Sequence, residues 1–170
     1  FMPKLLKDQT IVDNGWQILP KDFDGVLPEG PCFVPLDYWL ANKHNLQTPE
    51  SIGVWLDAEQ EPEQLADDIG KLQHLAVNFP SFMDGRGFSI ARLIRERYQF
   101  SGELRAIGHI VPDQLFYLSR CGFNAFCLDA LALDHEAEDS HKLEDYLATF
   151  SVTYQACVNE QQPLFRRRQA

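Results

Sequence analysis

The stretch Asp84-Gly85-Arg86-Gly87-Phe88-Ser89 holds the residue types whose spacing best fits chemistry. Two glycines two positions apart let a backbone approach a ligand closely. If the stretch opens a helix, the first N–H groups favour an anion. The planar fork of Arg86 suits bidentate contact with an oxyanion. Gly85, Arg86, Gly87 and Ser89 are therefore the candidate anion-binding residues. The same residues also fit a plain tight turn capped by Asp84 or Ser89. The pattern is not a dinucleotide fingerprint, because position 90 is Ile where G-x-G-x-x-G needs Gly. It is not a P-loop either, since no Gly-Lys-Ser/Thr follows.

His109, directly after Gly108, is the candidate acid–base group, with Asp84 as a second carrier of protons. The alternative for His109 is a polar rim residue without chemistry. His109 and Asp113 are spaced i, i+4, but no third ligand accompanies them, so no metal site is expected. There is no G-x-S-x-G and no H-E-x-x-H. Arg86, Arg92, Arg95, Arg97, Arg105 and Arg120 cluster in one segment, with no lysine between positions 86 and 120. Arginine in place of lysine points to bidentate contacts, either with a ligand or with the nearby acids Asp84, Glu96, Glu103 and Asp113.

Four short apolar runs must position these residues. Segments 52–56 (IGVWL), 75–79 (LAVNF), 103–107 (ELRAI) and 125–128 (AFCL) read as strands, with amphipathic segments between them. Pro62 opens the first such segment, where Leu65, Ile69 and Leu72 form a helical stripe. Ile90, Ala91, Leu93, Ile94 and Tyr98 share a face of the second, with Arg92, Arg95 and Glu96 outward. The third runs from Pro112 to a closing Gly122. A last helix is marked by Leu143, Leu147 and Phe150. The rhythm is that of βα units, so the fold class is α/β with a parallel sheet, half TIM-barrel-like or flavodoxin-like. Either geometry puts function at the strand C-terminal ends. Asp57, the 80–87 loop, His109 and Asp129 should share that rim.

The whole of 1–170 reads as one domain: a lead-in over 2–50, a βα core over 51–150 and a tail over 151–170. The lead-in is expected to be irregular. It offers a small hairpin of 10–12 with 16–19 about Asp13-Asn14-Gly15, a short strand near 32–36 and a helix capped by Asp37. The tail is expected to have little regular structure, with Phe165 packing on the domain or on a neighbouring copy, so an oligomer remains open. A net charge of -10 argues against nucleic acid and anionic membranes as partners. No apolar run reaches the roughly 20 residues of a spanning helix, and the first residues lack a signal-peptide apolar region. Cys32, Cys121, Cys127 and Cys157 contain no CxxC pair, which fits reduced thiols in the cytoplasm.

The run FPSFMDGRGFSIARLIRERYQFSGELRAIGHIVPDQLFYLSRCGFNAF closely resembles the core of the bacterial "domain of unknown function 934" family, and Ser151-Val152-Thr153-Tyr154-Gln155 resembles that family's closing motif. The resemblance is strong over 75–155 and weak before it. His109 stands where the family often has Asp, and Pro112 where it often has Arg. The resemblance implies a place in sulfite reduction and sulfate assimilation, since such genes typically neighbour that of the sulfite reductase hemoprotein and the proteins are often labelled oxidoreductases. No flavin, haem or iron–sulfur motif is visible, and the cofactor is unknown. Three readings stand open. One is an enzyme or pathway partner that handles a small sulfur oxyanion. The second is a non-catalytic docking subunit of sulfite reductase, using Tyr38, Trp39 and the tail. The third is a phosphate-ligand-binding α/β enzyme.

Overall fold

The computed structural model describes residues 4–8, 10–46 and 50–128. Asp129, the helix expected near Leu143, the closing motif, Cys157 and the tail lie outside the described residues. Among the described residues, eight strands form one sheet: β1 (Lys4–Lys7), β2 (Thr10–Asp13), β3 (Gln17–Ile18), β4 (Cys32–Pro35), β5 (Ile52–Leu56), β6 (His74–Phe79), β7 (Glu103–Gly108) and β8 (Ala125–Phe126). Their order is β2-β1-β8-β7-β6-β5-β4-β3. From β3 to β8 every neighbour is parallel, as expected for the four core strands. β1 lies antiparallel to both β8 and β2, so the sheet is mixed rather than purely parallel.

The strands from β3 to β8 follow one another in chain order, without the reversal that defines a flavodoxin-like sheet. The sheet instead curls like half a barrel. Its two edge strands, β2 and β3, are joined by residues 14–16 alone, a link that spans at most about 15 Å. Phe33 on β4 and Arg105 on β7 would stand about 14 Å apart in a flat sheet. Here the Arg105 guanidinium carbon lies 4.8 Å from the Phe33 ring centroid.

Strand alternation gives the sheet two apolar faces. Val34, Val54, Leu56, Leu75, Val77, Leu104 and Ala106 face outward and are fully buried. Over them pack α1 (Leu36–Asn42), α2 (Arg86–Glu96) and α3 (Leu115–Cys121), through Leu36, Ile90, Ala91, Ile94, Leu115 and Leu118. Phe33, Trp55, Ala76 and Ile107 face the concave side, joined by Trp16 and Cys127. Each fully buried aliphatic side chain contributes about 1.5–3 kcal/mol.

The lead-in is irregular over 19–31, but it also holds four strands and α1, and the expected hairpin of 10–12 with 16–19 does not form. The expected partners 10–12 and 16–19 lie at opposite edges of the sheet, on β1 and β4 respectively. Asn14 explains the parting. Its Oδ1 accepts the Trp16 backbone N–H and an Arg105 N–H, at 3.1 and 2.9 Å, so the turn is drawn onto the concave face. The α1 cap position is Pro35, not Asp37, which lies in the first turn.

The segment after Pro62 forms two 3-10 turns, Pro62–Leu65 and Ile69–Lys71, rather than one helix. Its apolar stripe is buried as expected, but Asp68 is buried as well. Asp68 accepts from Trp39 Nε1 at 3.3 Å and Lys43 Nζ at 2.7 Å, which breaks the regular path. α3 closes on Gly122 with φ 112°, the Pro-in, Gly-out pattern expected from the sequence.

Candidate functional site

The strand C-terminal ends carry three polar features. The first follows β6. The loop turns when Ser81 accepts N–H groups from Met83 and Asp84, and Asp84 Oδ1 then accepts the Arg86 N–H at 3.1 Å, capping the start of α2. The Arg86 side chain folds back on the same carboxylate. Its Nε donates to both oxygens, at 3.0 and 3.2 Å, and Nη2 donates to Oδ2 at 2.6 Å. This fork holds the Asp84 carboxyl down to about 2, so at neutral pH Asp84 has no proton to give. A Glu59 oxygen stands 4.0 Å from Arg86 Nη1.

The four expected anion-binding residues do not share one surface. Arg86 and Ser89 line a groove beside the loop after β5. Gly87 is turned into the core, where a Cβ would lie 2.6 Å from the Phe79 ring. It is small so that α2 can pack on β6, not so that a ligand can approach. Gly85 is exposed at the helix cap.

The second feature follows β7. Gly108 has φ 88°, and a Cβ there would meet the Phe79 carbonyl oxygen at 2.4 Å. This turn lets the His109 N–H donate to that carbonyl at 2.8 Å. His109 is exposed and lines a cleft of about 360 Å³ with Pro80, Ser81, Phe82, Ile110 and Val111. Gln114 ties the two loops together: its amide donates to the Phe82 carbonyl at 2.9 Å, and its oxygen accepts the Val111 N–H at 3.1 Å. His109 and Arg86 thus line separate depressions.

The third feature was only partly visible in the sequence. Asp57, expected on this rim, accepts from Lys21 Nζ at 2.6 Å, Asn78 Nδ2 at 3.2 Å and the Ala58 N–H at 2.9 Å. Burial pushes the Asp57 carboxyl up, but these donors outweigh it and hold the carboxyl low. Lys21 comes from the lead-in, and no spacing in the sequence announces its partner.

Four exposed apolar side chains also lie on this rim, although Val26, between β3 and β4, is more exposed than any of them at 94%. Met83 is 80% and Phe82 59% exposed, with Tyr117 at 52% and Val111 at 39%. Tyr117 meets Phe88 in a tilted contact at 4.8 Å between ring centroids, and Phe88 meets the buried Phe79 edge-on at 5.2 Å, so Tyr117 is tied to the core.

The arginines are largely consumed within the molecule. Arg92 pairs with Glu96, Arg97 with Glu63 and Arg105 with Glu103. Arg95, expected to point outward, is half-buried and donates to the carbonyls of Gly122, Phe100 and Gly102. Cys32, Cys121 and Cys127 are thiols, not joined in disulfides. Among the described residues, no helix is long and apolar enough to cross a membrane.

Residues 53–165 match the family described as "Bacterial protein of unknown function (DUF934)". No curated protein and no solved structure matches the chain.

Proposed function

We propose, from the premise that the chain belongs to the DUF934 family, that it serves cytoplasmic sulfite reduction in sulfate assimilation as an accessory protein that docks on the sulfite reductase hemoprotein. The observation that carries this reading is the apolar patch of Phe82, Met83, Val111 and Tyr117. An exposed apolar group of this kind suits a protein partner, because burying it removes apolar area from water. The two loops that present it are cross-tied by Gln114, so little ordering is needed on binding. The partner itself comes from the family resemblance.

The test is binding of the purified hemoprotein to the wild type and to Met83→Asp and Phe82→Asp. Docking through the patch predicts micromolar affinity for the wild type and at least a tenfold loss, about 1.4 kcal/mol, in each variant. Equal affinity across all three, or no binding at 100-fold higher concentration, defeats the reading.

A second reading keeps an oxyanion at the start of α2, on Arg86 and Ser89 beside the exposed Gly85, as a binding site without proton transfer by Asp84. It is supported by the position of the α2 start on the strand C-terminal rim and by the exposure of Arg86. It requires the guanidinium to leave Asp84. Titration with sulfite and sulfate, wild type against Arg86→Ala and Asp84→Asn, tests it. The expected order is strongest binding in Asp84→Asn and weakest in Arg86→Ala. Identical isotherms would end this reading.

A further inference from the structure

A groove of about 590 Å³ runs between the loop after β5 and α2. Its floor is apolar, made by Pro62, Ile90, Leu93 and Tyr98. Leu93 is 42% exposed there although its helix neighbours Ile90, Ala91 and Ile94 are buried. One wall carries Glu59, Glu61 and Glu63, and the other carries Arg86 and Arg97. The two basic groups are already engaged. Arg97 reaches Glu63 at 2.7 Å, and Arg86 is held by Asp84. Glu61 has no ion-pair partner among the described residues, and Glu59 has only the 4.0 Å approach of Arg86. The groove is therefore apolar below and negative on one side. Its occupant should be short, apolar and basic, without acids of its own.

The sequence contains such a stretch in Leu164-Phe165-Arg166-Arg167-Arg168, which lies outside the described residues. Residues 161–170 hold three arginines and no acid, in a chain whose net charge is -10. The connection from Leu128 to Leu164 can extend over about 100 Å, more than any path across the domain. We propose that this groove binds the chain's own 164–168 segment, with Leu164 and Phe165 over Leu93 and Tyr98 and the arginines along Glu59 and Glu61. Tethering supplies an effective concentration on the order of millimolar. A segment of about 0.1 mM intrinsic affinity would then be docked roughly nine-tenths of the time. The proposal does not rest on docking at the rim patch and survives its failure.

Limited trypsinolysis of the full chain tests it, with early cleavage after Arg166, Arg167 and Arg168 followed by mass spectrometry. The synthetic 161–170 peptide is the reference. Docking predicts cleavage about tenfold slower in the full chain than in the peptide, with the same protection at all protein concentrations. Glu61→Arg and Leu93→Ser, both at exposed positions and checked for unchanged melting, should each return the rate toward that of the peptide. Cleavage of the wild type at the peptide's rate overturns the proposal. So does protection that survives both substitutions. Protection that grows with protein concentration overturns it too, by placing the segment in a second copy.

Discussion

Glu103 is a buried carboxylate that persists because Arg105 and Lys7 pair with it. Arg105 reaches it at 2.6 Å and Lys7 at 2.7 Å, and His74 Nδ1 stands 3.9 Å away. Burial alone would raise its carboxyl, but His74, Lys7 and Arg105 reverse this and hold it well below the usual range. An unfolded glutamate titrates near about 4.3. The depressed folded value means that Glu103's contribution is complete above that pH and is lost as the pH falls toward the folded value. The midpoint of urea unfolding should therefore drop steeply from pH 6 to pH 3 in the wild type and less steeply in Glu103→Gln. At pH 7 the same substitution should cost about 3–5 kcal/mol, because it leaves Arg105, only 1% exposed, without its anion. Gly108→Ala should cost at least about 1–2 kcal/mol for the left-handed backbone alone, and more for the contact with the Phe79 carbonyl. Denaturant titration reads both. At this scale the sequence was informative only where chain neighbours decide the outcome. Asp84 beside Arg86, and Gly108 at a strand end, could be placed from local pattern. The alternation of Glu103 and Arg105 within a strand did put both on one face, but their partners Lys7 and Asn14 are about 90 residues away, and no local rule reaches that far.

Among the elements, β5 to β8 were legible because each is an apolar run bounded by turn residues, and their parallel order follows from the intervening lengths. The lead-in misled because Asp13-Asn14-Gly15 has hairpin composition. Tertiary contacts overrode it. Trp16 packs on Phe33 at 4.9 Å and on His74 at 4.3 Å between centroids, a burial open to it only if the chain crosses the concave face. The segment after Pro62 was misjudged for a related reason, since a helical stripe says nothing about a buried Asp68. The candidate site was half legible: the rim was foreseen, but its apolar character was not, because no local pattern says whether a loop Phe or Met such as Phe82 and Met83 turns in or out. Trp16→Ala should cost about 2–3 kcal/mol, the lower end for an aromatic truncation because Trp16 is only partly buried. Hydrogen exchange should rise first in β3, whose two residues depend on the link to Trp16.

Across the whole molecule, the curled sheet is closed by its earliest strands. β1 covers the edge of β8 through Leu6↔Phe126 and Lys7↔Ala125. Leu5 and Leu6 are both 3% exposed. A variant lacking residues 4–13 bares that edge, and an unpaired edge strand is a template for association. It should run as a mixture of larger species in gel filtration where the wild type gives one sharp peak, and a single wild-type-like peak would show that β8 needs no cover. The same pairing has a consequence in time. A ribosome releases Leu6 about 120 residues before Phe126. At roughly 5–20 residues per second, that is a wait on the order of ten seconds. Throughout it, Leu5 and Leu6 have only β2 beside them, through Leu5↔Val12 and Leu6↔Ile11, so the nascent chain is a candidate client for holding chaperones until β8 emerges.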